Sequence, residues 1–136
     1  SMGAWGALAF DNDDACDWAF ELELVDDFSL IEAAFDSVES SGDYLEAPAA
    51  CIALAACEVL ARASGGGGVR NSSTEDVDNW VDQHTLKPSK ALLDRARHAL
   101  TRVAGENSEL RELWDESENA KAWHAAVEDL RARLGQ

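Results

Sequence analysis

Four aspartates near the start of the chain are the first residues whose type and spacing could do chemistry: Asp11, Asp13, Asp14 and Asp17. Hard cations such as calcium bind where several carboxylate oxygens stand together. The EF-hand pattern fails here, because its sixth position holds a cysteine where glycine is needed and its twelfth a leucine in place of glutamate. Asp11 and Asn12 are better explained as helix caps, with Asp13 and Asp14 in a first turn where the dipole favours acids. The sequence predicts no metal, and these four aspartates are the ligands to expect if a cation does bind.

No catalytic motif accompanies this cluster. The three histidines lie in separate predicted elements and form no HExxH pair, and no GxSxG or Cys–His signature is present. The glycine-rich run at residues 64–68 lacks the GK[ST] ending of a phosphate-binding loop and follows a helix instead of a strand. We therefore predict no catalytic residue and no cofactor. Whether any of the 27 acids pair for acid–base work is left open.

Cysteine usage and hydropathy indicate the compartment. Cys16, Cys51 and Cys57 are odd in number and form no CxxC, which favours packing as small hydrophobes in a reducing cytosol. No basic n-region of a signal peptide is present. The longest apolar run, residues 47–57 with a proline inside it, is too short for a membrane span. The expectation is a cytoplasmic protein that does not engage a membrane.

The distribution of charge is uneven along the chain. Fourteen acids from Asp11 to Glu58 precede the first basic residue, Arg62, whereas residues 62–136 hold 13 acids and 11 bases. Phosphate contacts need lysines and arginines that the first half lacks, which argues against nucleic-acid binding. The negative charge must be offset by ions, by basic helices elsewhere in the fold, or by a basic partner.

Apolar residues recur at three- and four-residue steps, which predicts an all-α fold. We expect about seven helices, whose apolar stripes cover residues 15–25, 31–38, 45–63, 77–81, 88–103, 110–114 and 120–134. The third is apolar on every side from Ala49 to Cys57 and should be central. Predicted helix starts are Asp27 or Ser29, a capping box of Ser73 with Asp76, Pro88, and Asn107 or Ser108.

The 136 residues are expected to form one domain, residues 1–136. Ser64–Gly68 reads SGGGG and predicts a flexible linker over about residues 64–73. It separates an acidic helical subunit, about residues 1–63, from a mixed-charge helical subunit, about residues 74–136. The N-terminal Gly3-Ala4-Trp5-Gly6 cannot belong to a regular helix. Trp5 and Phe10 are expected to pin this end over the core, the alternative being a hook for a partner.

The opening of the chain resembles a bacterial family of domains of unknown function whose members begin GAWGxGxFDNDxAxD. The resemblance is carried by residues 3–6, 10–15 and 17–18, and it continues through residues 44–48, 56–60 and 107–114. Leu8 departs from it, because the family usually has a third glycine there. The resemblance implies a small cytoplasmic bacterial protein with no established activity, and no catalytic or ligand residue carries over from it.

Three functional hypotheses remain open. In the first, the protein binds a basic protein, such as a toxin domain that it neutralises, through an acidic surface and the signature residues: Trp5, Asp11, Asp13, Asp14, Asp17 and Glu21. Trp18 and Trp80 are further anchors if they prove exposed. The second is a carboxylate-based metal-binding protein or enzyme. The third is a homo-oligomeric helical protein without a ligand.

Overall fold

The computed structural model describes residues 3–135, and the all-α fold is confirmed over them. Seven α-helices form one domain: α1 Asp13–Leu22, α2 Ser29–Glu39, α3 Ala47–Ala63, α4 Glu75–His84, α5 Lys90–Ala104, α6 Glu109–Asp115 and α7 Ala120–Leu134. Apart from two isolated bridge pairs, this part of the chain contains no β-structure. None of these helices is long and apolar enough to cross a membrane.

Helix α3 lies at the centre of the molecule, as its all-round apolar sequence predicts. It packs against each of the other six helices. Alanines such as Ala50, Ala53 and Ala56 are almost fully buried on it, and their short side chains let neighbouring helices approach closely. One hydrophobic cluster includes residues from all seven helices, so a single core holds both halves of the chain. The division into an acidic and a mixed-charge subunit stays a prediction.

Short polar side chains cap several helices at the predicted places. The side chain of Asn12 accepts from the backbone N–H of Ala15, and Ser108 caps α6 in the same way. The prediction of a capping box at Ser73 was wrong. Helix α4 begins after Thr74, whose side chain makes no capping hydrogen bond. The Thr74 hydroxyl instead donates to Asp78 Oδ2 at 3.0 Å, within a buried polar network described below.

Helix α3 begins two residues later than predicted because Leu45 is held by the chain near α6. Its N–H donates to the carbonyl of Asn107, and its carbonyl accepts from the N–H of Glu109. The Glu109 carboxylate then accepts from the Ala47 N–H at 2.7 Å. The two family-like segments at residues 44–48 and 107–114 therefore meet in space and organise the starts of α3 and α6.

The N-terminal segment folds back along the start of α1. Trp5 N–H donates to the Asp11 carbonyl and Asp13 N–H to that of Gly3. Phe10 is 2% exposed and packs in the core as predicted, but Trp5 is 57% exposed. The prediction that Trp5 pins this segment was wrong, because the turn closed by these hydrogen bonds leaves the indole outside.

Candidate functional site

The outward side of α1 carries a stripe of exposed acidic and apolar side chains. Asp13, Asp17 and Glu21 follow one another at four-residue steps, so they lie along one side of the helix. We call these three the acidic face of α1. Phe20 lies beside Asp17 on the same side, since three- and four-residue neighbours are adjacent on a helix.

The remaining predicted aspartates surround this face in different ways. Asp14 is half-buried, and its negative charge is the second cause, after burial of the thiol, that raises the pKa of Cys51 to about 12. Asp11 folds back over the N-terminal turn, and its Oδ2 accepts from the Leu8 N–H at 3.1 Å. Five of the six predicted site residues, all but Trp5, lie on α1 or just before it, spread along its length rather than grouped at one point.

Two glycines of the opening signature are explained by these carboxylates. A methyl group on Gly3 would lie 2.5 Å from Oδ2 of Asp13, and one on Gly6 would overlap Oδ2 of Asp11. Gly3 also has a φ of +60°, which side chains rarely tolerate. The positive φ therefore favours glycine at position 3, whereas a side chain at position 6 would have to displace the Asp11 carboxylate.

Helix α4 extends the acidic character past α1. The half-buried Cys16 thiol has its pKa raised by burial and by the charges of Asp13, Asp17, Asp11 and, from α4, Asp76. A thiol in such surroundings stays protonated and is a poor nucleophile. Cys16 is therefore no catalytic candidate, and the charge of Asp76 on α4 adds to the negative potential around it.

Most carboxylates of the acidic half form no ion pair with the residues that the structure describes. Of the fourteen acids between Asp11 and Glu58, three pair with arginine, namely Asp36, Glu39 and Glu58, and Asp26 pairs with His84. The other ten make no ion pair within residues 3–135. All three members of the acidic face are among these ten.

The arginines of the second half are engaged elsewhere. Arg97, Arg102 and Arg111 donate to backbone carbonyls at the ends of helices or in the following turns. Those that do reach acids of the first half pair away from α1: Arg95 with Asp36 and Glu39 on α2, and Arg62 and Arg133 with Glu58 on α3. The trailing helices therefore do not fold their cations over α1, and the negative potential there is left to solvent, ions or a partner.

Large apolar side chains stand exposed beside these acids. Phe20 is 60% exposed and Leu24, just beyond the end of α1, is 84% exposed. Trp18 and Trp80 are buried, and Trp80 Nε1 donates to the Val25 carbonyl, so neither is available as an anchor. Sequence reasoning missed Phe20 and Leu24. The sequence does indicate their exposure, since neither residue lies on the apolar stripe of Trp18 and Leu22 that packs into the core.

A metal centre is not formed by the aspartate cluster. In the described part of the chain, no three His, Cys, Asp or Glu side chains lie close enough to hold a metal ion. Asp13 and Asp17 lie on the acidic face, Asp14 is half-buried beside it and Asp11 accepts from the Leu8 N–H, so the four carboxylates are not grouped around one point. The hypothesis of a cation bound by Asp11, Asp13, Asp14 and Asp17 is therefore not carried further.

A second cluster of charges is buried between α3, α4 and α7. Glu58 accepts from Arg62 Nε at 2.9 Å and from both terminal nitrogens of Arg133, at 2.7 and 2.8 Å. Arg62 also donates to Asp78 Oδ1 at 2.7 Å. Glu58 is only 6% exposed and Asp78 only 5%. Sequence reasoning missed this cluster too, although Glu58 stands alone in an apolar helix four residues before Arg62.

The buried cluster fastens the glycine-rich loop. Arg62 Nη2 donates to the Val69 carbonyl and Arg133 Nη1 to that of Gly67. Within residues 3–135, no buried side-chain nitrogen or oxygen is left without a hydrogen-bond partner. Since all of these groups have hydrogen-bond partners within the fold, we interpret the cluster as stabilising the structure. The acidic face is the stronger candidate for a binding site.

Residues 3–126 match the model of a protein family that is described as a domain of unknown function (DUF4259). The match covers most of the chain and agrees with the resemblance seen in its sequence. No curated protein and no solved structure matches it.

Proposed function

Because the chain belongs to the DUF4259 family of domains of unknown function, we propose its function from its own surface: it binds a basic protein through the acidic face of α1. The observation that supports the proposal is the combination of carboxylates without an ion pair in residues 3–135 and exposed apolar side chains on α1 and just beyond its end. Asp13, Asp17 and Glu21 supply the charge, and Phe20 and Leu24 supply apolar area.

The two kinds of side chain have different roles in such an interface. Exposed carboxylates steer an oppositely charged partner and raise its association rate, while rim charges add little to the final affinity. Buried aromatic anchors carry most of the binding free energy in interfaces of this kind. Phe20 on α1, and Trp5 on the N-terminal segment that precedes this helix, are the exposed aromatic side chains available as anchors.

A basic toxin domain is one partner class that this arrangement suits. Neutralisation needs rapid capture and discrimination against other surfaces, and electrostatic complementarity provides both. The chain's net charge of −16 would also disfavour association with acidic proteins.

Affinity capture with matched variants tests the proposal. The site variant is Asp13→Lys with Asp17→Lys and Glu21→Lys, and the control is Glu106→Lys with Glu116→Lys and Glu118→Lys. Both change the net charge equally, but the control acids lie exposed around α6. Extract of the source cell is applied to each at about 50 and 500 mM salt, since screening weakens exposed charges.

The expected result is a basic protein that the unmodified chain and the control retain at low salt and the site variant does not. High salt should release it. Equal retention by both variants, or retention indifferent to salt, would contradict the proposal. A circular dichroism melt of each variant checks that the fold is intact.

A further inference from the structure

We infer that residues 4–9, which we name the strap, open while the helices stay folded, and that this opening uncovers an apolar groove between α3, α6 and α7. The chain therefore has a closed form, which the structure describes, and a less populated open form. The inference does not depend on the proposed partner, because it concerns only how this segment is held.

The strap is held by hydrogen bonds to its own neighbours in the chain. The Trp5 N–H donates to the Asp11 carbonyl, and the Leu8 N–H donates to Asp11 Oδ2 at 3.1 Å. The Leu8 carbonyl accepts from the Asp11 N–H, and the Ala9 carbonyl accepts from Asn12 Nδ2. Within residues 3–135, no hydrogen bond joins the strap to α3, α6 or α7. The bonds that close the strap therefore do not fasten it to the groove.

The side chains of the strap bury little apolar area against the core. Its two large side chains are exposed, Trp5 by 57% and Leu8 by 40%. Ala7 and Ala9 are the strap residues that pack on the core, and both are half-buried. Because apolar stabilisation scales with the area removed from water, two methyl groups hold this segment weakly.

The contact between the strap and the groove is also incomplete. Three clefts of about 340, 300 and 290 Å³, all open to solvent, border the strap, and Leu8 and Ala9 line each of them. Protein interiors are otherwise close-packed, with few voids larger than a water molecule. Few buried apolar contacts and exposed backbone hydrogen bonds are features of segments that open locally. The strap has both features.

The groove beneath the strap is strongly apolar. The inner wall of one cleft is formed by the buried side chains of Cys51, Leu54, Leu110, Trp114 and Trp123. Opening exposes part of this wall to water, so the closed form is favoured at equilibrium. Phe10 is buried and anchors the chain where the strap ends.

Thiol labelling tests the inference, because Cys51 lies beneath the strap and Cys57 does not. Cys57 is fully buried against α5, where its Sγ lies 3.4 Å from the Ala96 carbonyl oxygen, so α5 must leave α3 before this thiol reacts. Burial raises the pKa of both thiols, and a protonated thiol reacts poorly. Labelling of either residue therefore reports the opening that exposes it.

Iodoacetamide is applied at about pH 8 to a Cys16→Ser chain, in which serine keeps the donor to the Phe10 carbonyl, and peptide mass spectrometry gives the two rates. We expect Cys51 to react roughly tenfold or more faster than Cys57. Low urea should raise the Cys57 rate and barely change the Cys51 rate, because the effect of urea scales with the surface exposed on opening. Equal rates with equal dependence on urea would overturn the inference, since both thiols would then be exposed only by global unfolding.

Variants at the hydrogen bond of the strap test whether the strap itself opens. Asp11→Ala removes the acceptor for the Leu8 N–H, and Gly6→Ala displaces the Asp11 carboxylate from it. Each should raise the Cys51 rate roughly three- to tenfold, as expected for the loss of one hydrogen bond. Asp11→Asn keeps an acceptor oxygen without the charge, so its Cys51 rate should match that of the unmodified chain. Equal Cys51 rates in the alanine and asparagine variants at position 11 would overturn the inference.

A variant of α1 excludes the opening of that helix as the cause. Leu22→Val trims a fully buried side chain of α1 and leaves the strap unchanged. It should raise the Cys57 rate, because it destabilises the fold, and leave the Cys51 rate unaltered, because α1 stays packed when the strap opens. A Cys51 rate that rises as much as the Cys57 rate would show that α1 or the whole fold must open, and the strap would then not be an independent element.

Discussion

At the scale of single residues, Glu58 is the charge on which the fold depends most. Its carboxylate is held by Arg62 and Arg133, and the same two arginines fasten the loop of residues 64–73 through Val69 and Gly67. Removing one member of a buried charge cluster leaves the others desolvated without compensation. The loss therefore exceeds the value of the hydrogen bonds themselves.

We predict that Glu58→Gln lowers the free energy of unfolding by about 3 kcal/mol, because it keeps the shape but leaves the partly buried guanidiniums of Arg62 and Arg133 without this counter-charge. Urea denaturation measures the change. The matched control is Glu128→Gln, which removes an exposed pair with Arg131 and should cost less than about 0.5 kcal/mol. Similar losses in the two variants would show that burial of the cluster does not matter.

His84 gives stability a dependence on pH. Its pKa is raised, first because a ring N–H donates to the Trp80 carbonyl and then because the other nitrogen donates to Asp26. A raised pKa means that the folded state binds the proton more tightly than the unfolded state. The stabilisation is full below the unfolded-state pKa of about 6.5 and is lost as pH rises through the folded-state value.

His84→Gln should accordingly lower Tm more at about pH 5.5 than at about pH 8.5. Thermal melts at the two values measure the difference, with His98→Gln, on the exposed side of α5, as the control. A larger Tm loss at the higher pH would contradict the assignment of His84 as the proton-binding group.

The burial of some apolar residues could be predicted from the sequence, whereas the exposure of Trp5 could not. The burial of Phe10, Cys51 and Cys57 follows from their apolar side chains, and the structure buries all three. Trp5 is equally apolar, yet its exposure is set by a turn whose hydrogen bonds involve residues six or more positions away. The direction of a side chain on an irregular segment does not follow from hydropathy.

At the scale of elements, helices follow from spacing, whereas some of their ends follow from distant contacts. All seven helices lie where apolar periodicity places them, and Asn12 and Ser108 cap as their short acceptors suggest. The start of α3 could not be located this way. It depends on Leu45 pairing with the chain at Ser108 and on Glu109 supplying an acceptor that α3 itself lacks.

Glu109 should therefore stabilise α3 from outside that helix. Glu109→Ala removes the acceptor for the Ala47 N–H and should cost about 1 kcal/mol of unfolding free energy. Glu109→Gln keeps an oxygen but loses the charge at the positive end of the dipole, so it should cost only a few tenths. Chemical denaturation of both variants separates the hydrogen bond from the charge.

Glu112→Ala is the control for that pair, because it removes only an exposed acceptor for the Tyr44 hydroxyl. Its effect should be smaller than that of Glu109→Ala. If the alanine variants at 109 and 112 were equally destabilised, the Glu109 carboxylate would not act as the cap of α3.

At the scale of the whole molecule, unpaired acids impose a cost that a partner or salt can relieve. Ten like charges in the first half repel one another by roughly 0.04 kcal/mol per pair at about 15 Å in physiological salt. The sequence predicted this imbalance. It could not predict which acids remain unpaired, because that depends on where the arginines of α5 and α7 point.

Neutralising part of the acidic face should therefore stabilise the free protein. Asp17→Asn with Glu21→Gln removes two unpaired charges outside the favoured first turn of α1, and the free energy of unfolding should rise by roughly 0.5 kcal/mol at low salt. The gain should vanish at about 0.5 M salt, where repulsion is screened. Glu106→Gln with Glu118→Gln, in the nearly neutral half, should show little gain. If the α1 variant were instead less stable, its carboxylates would serve the fold, and their exposure would no longer argue for a partner.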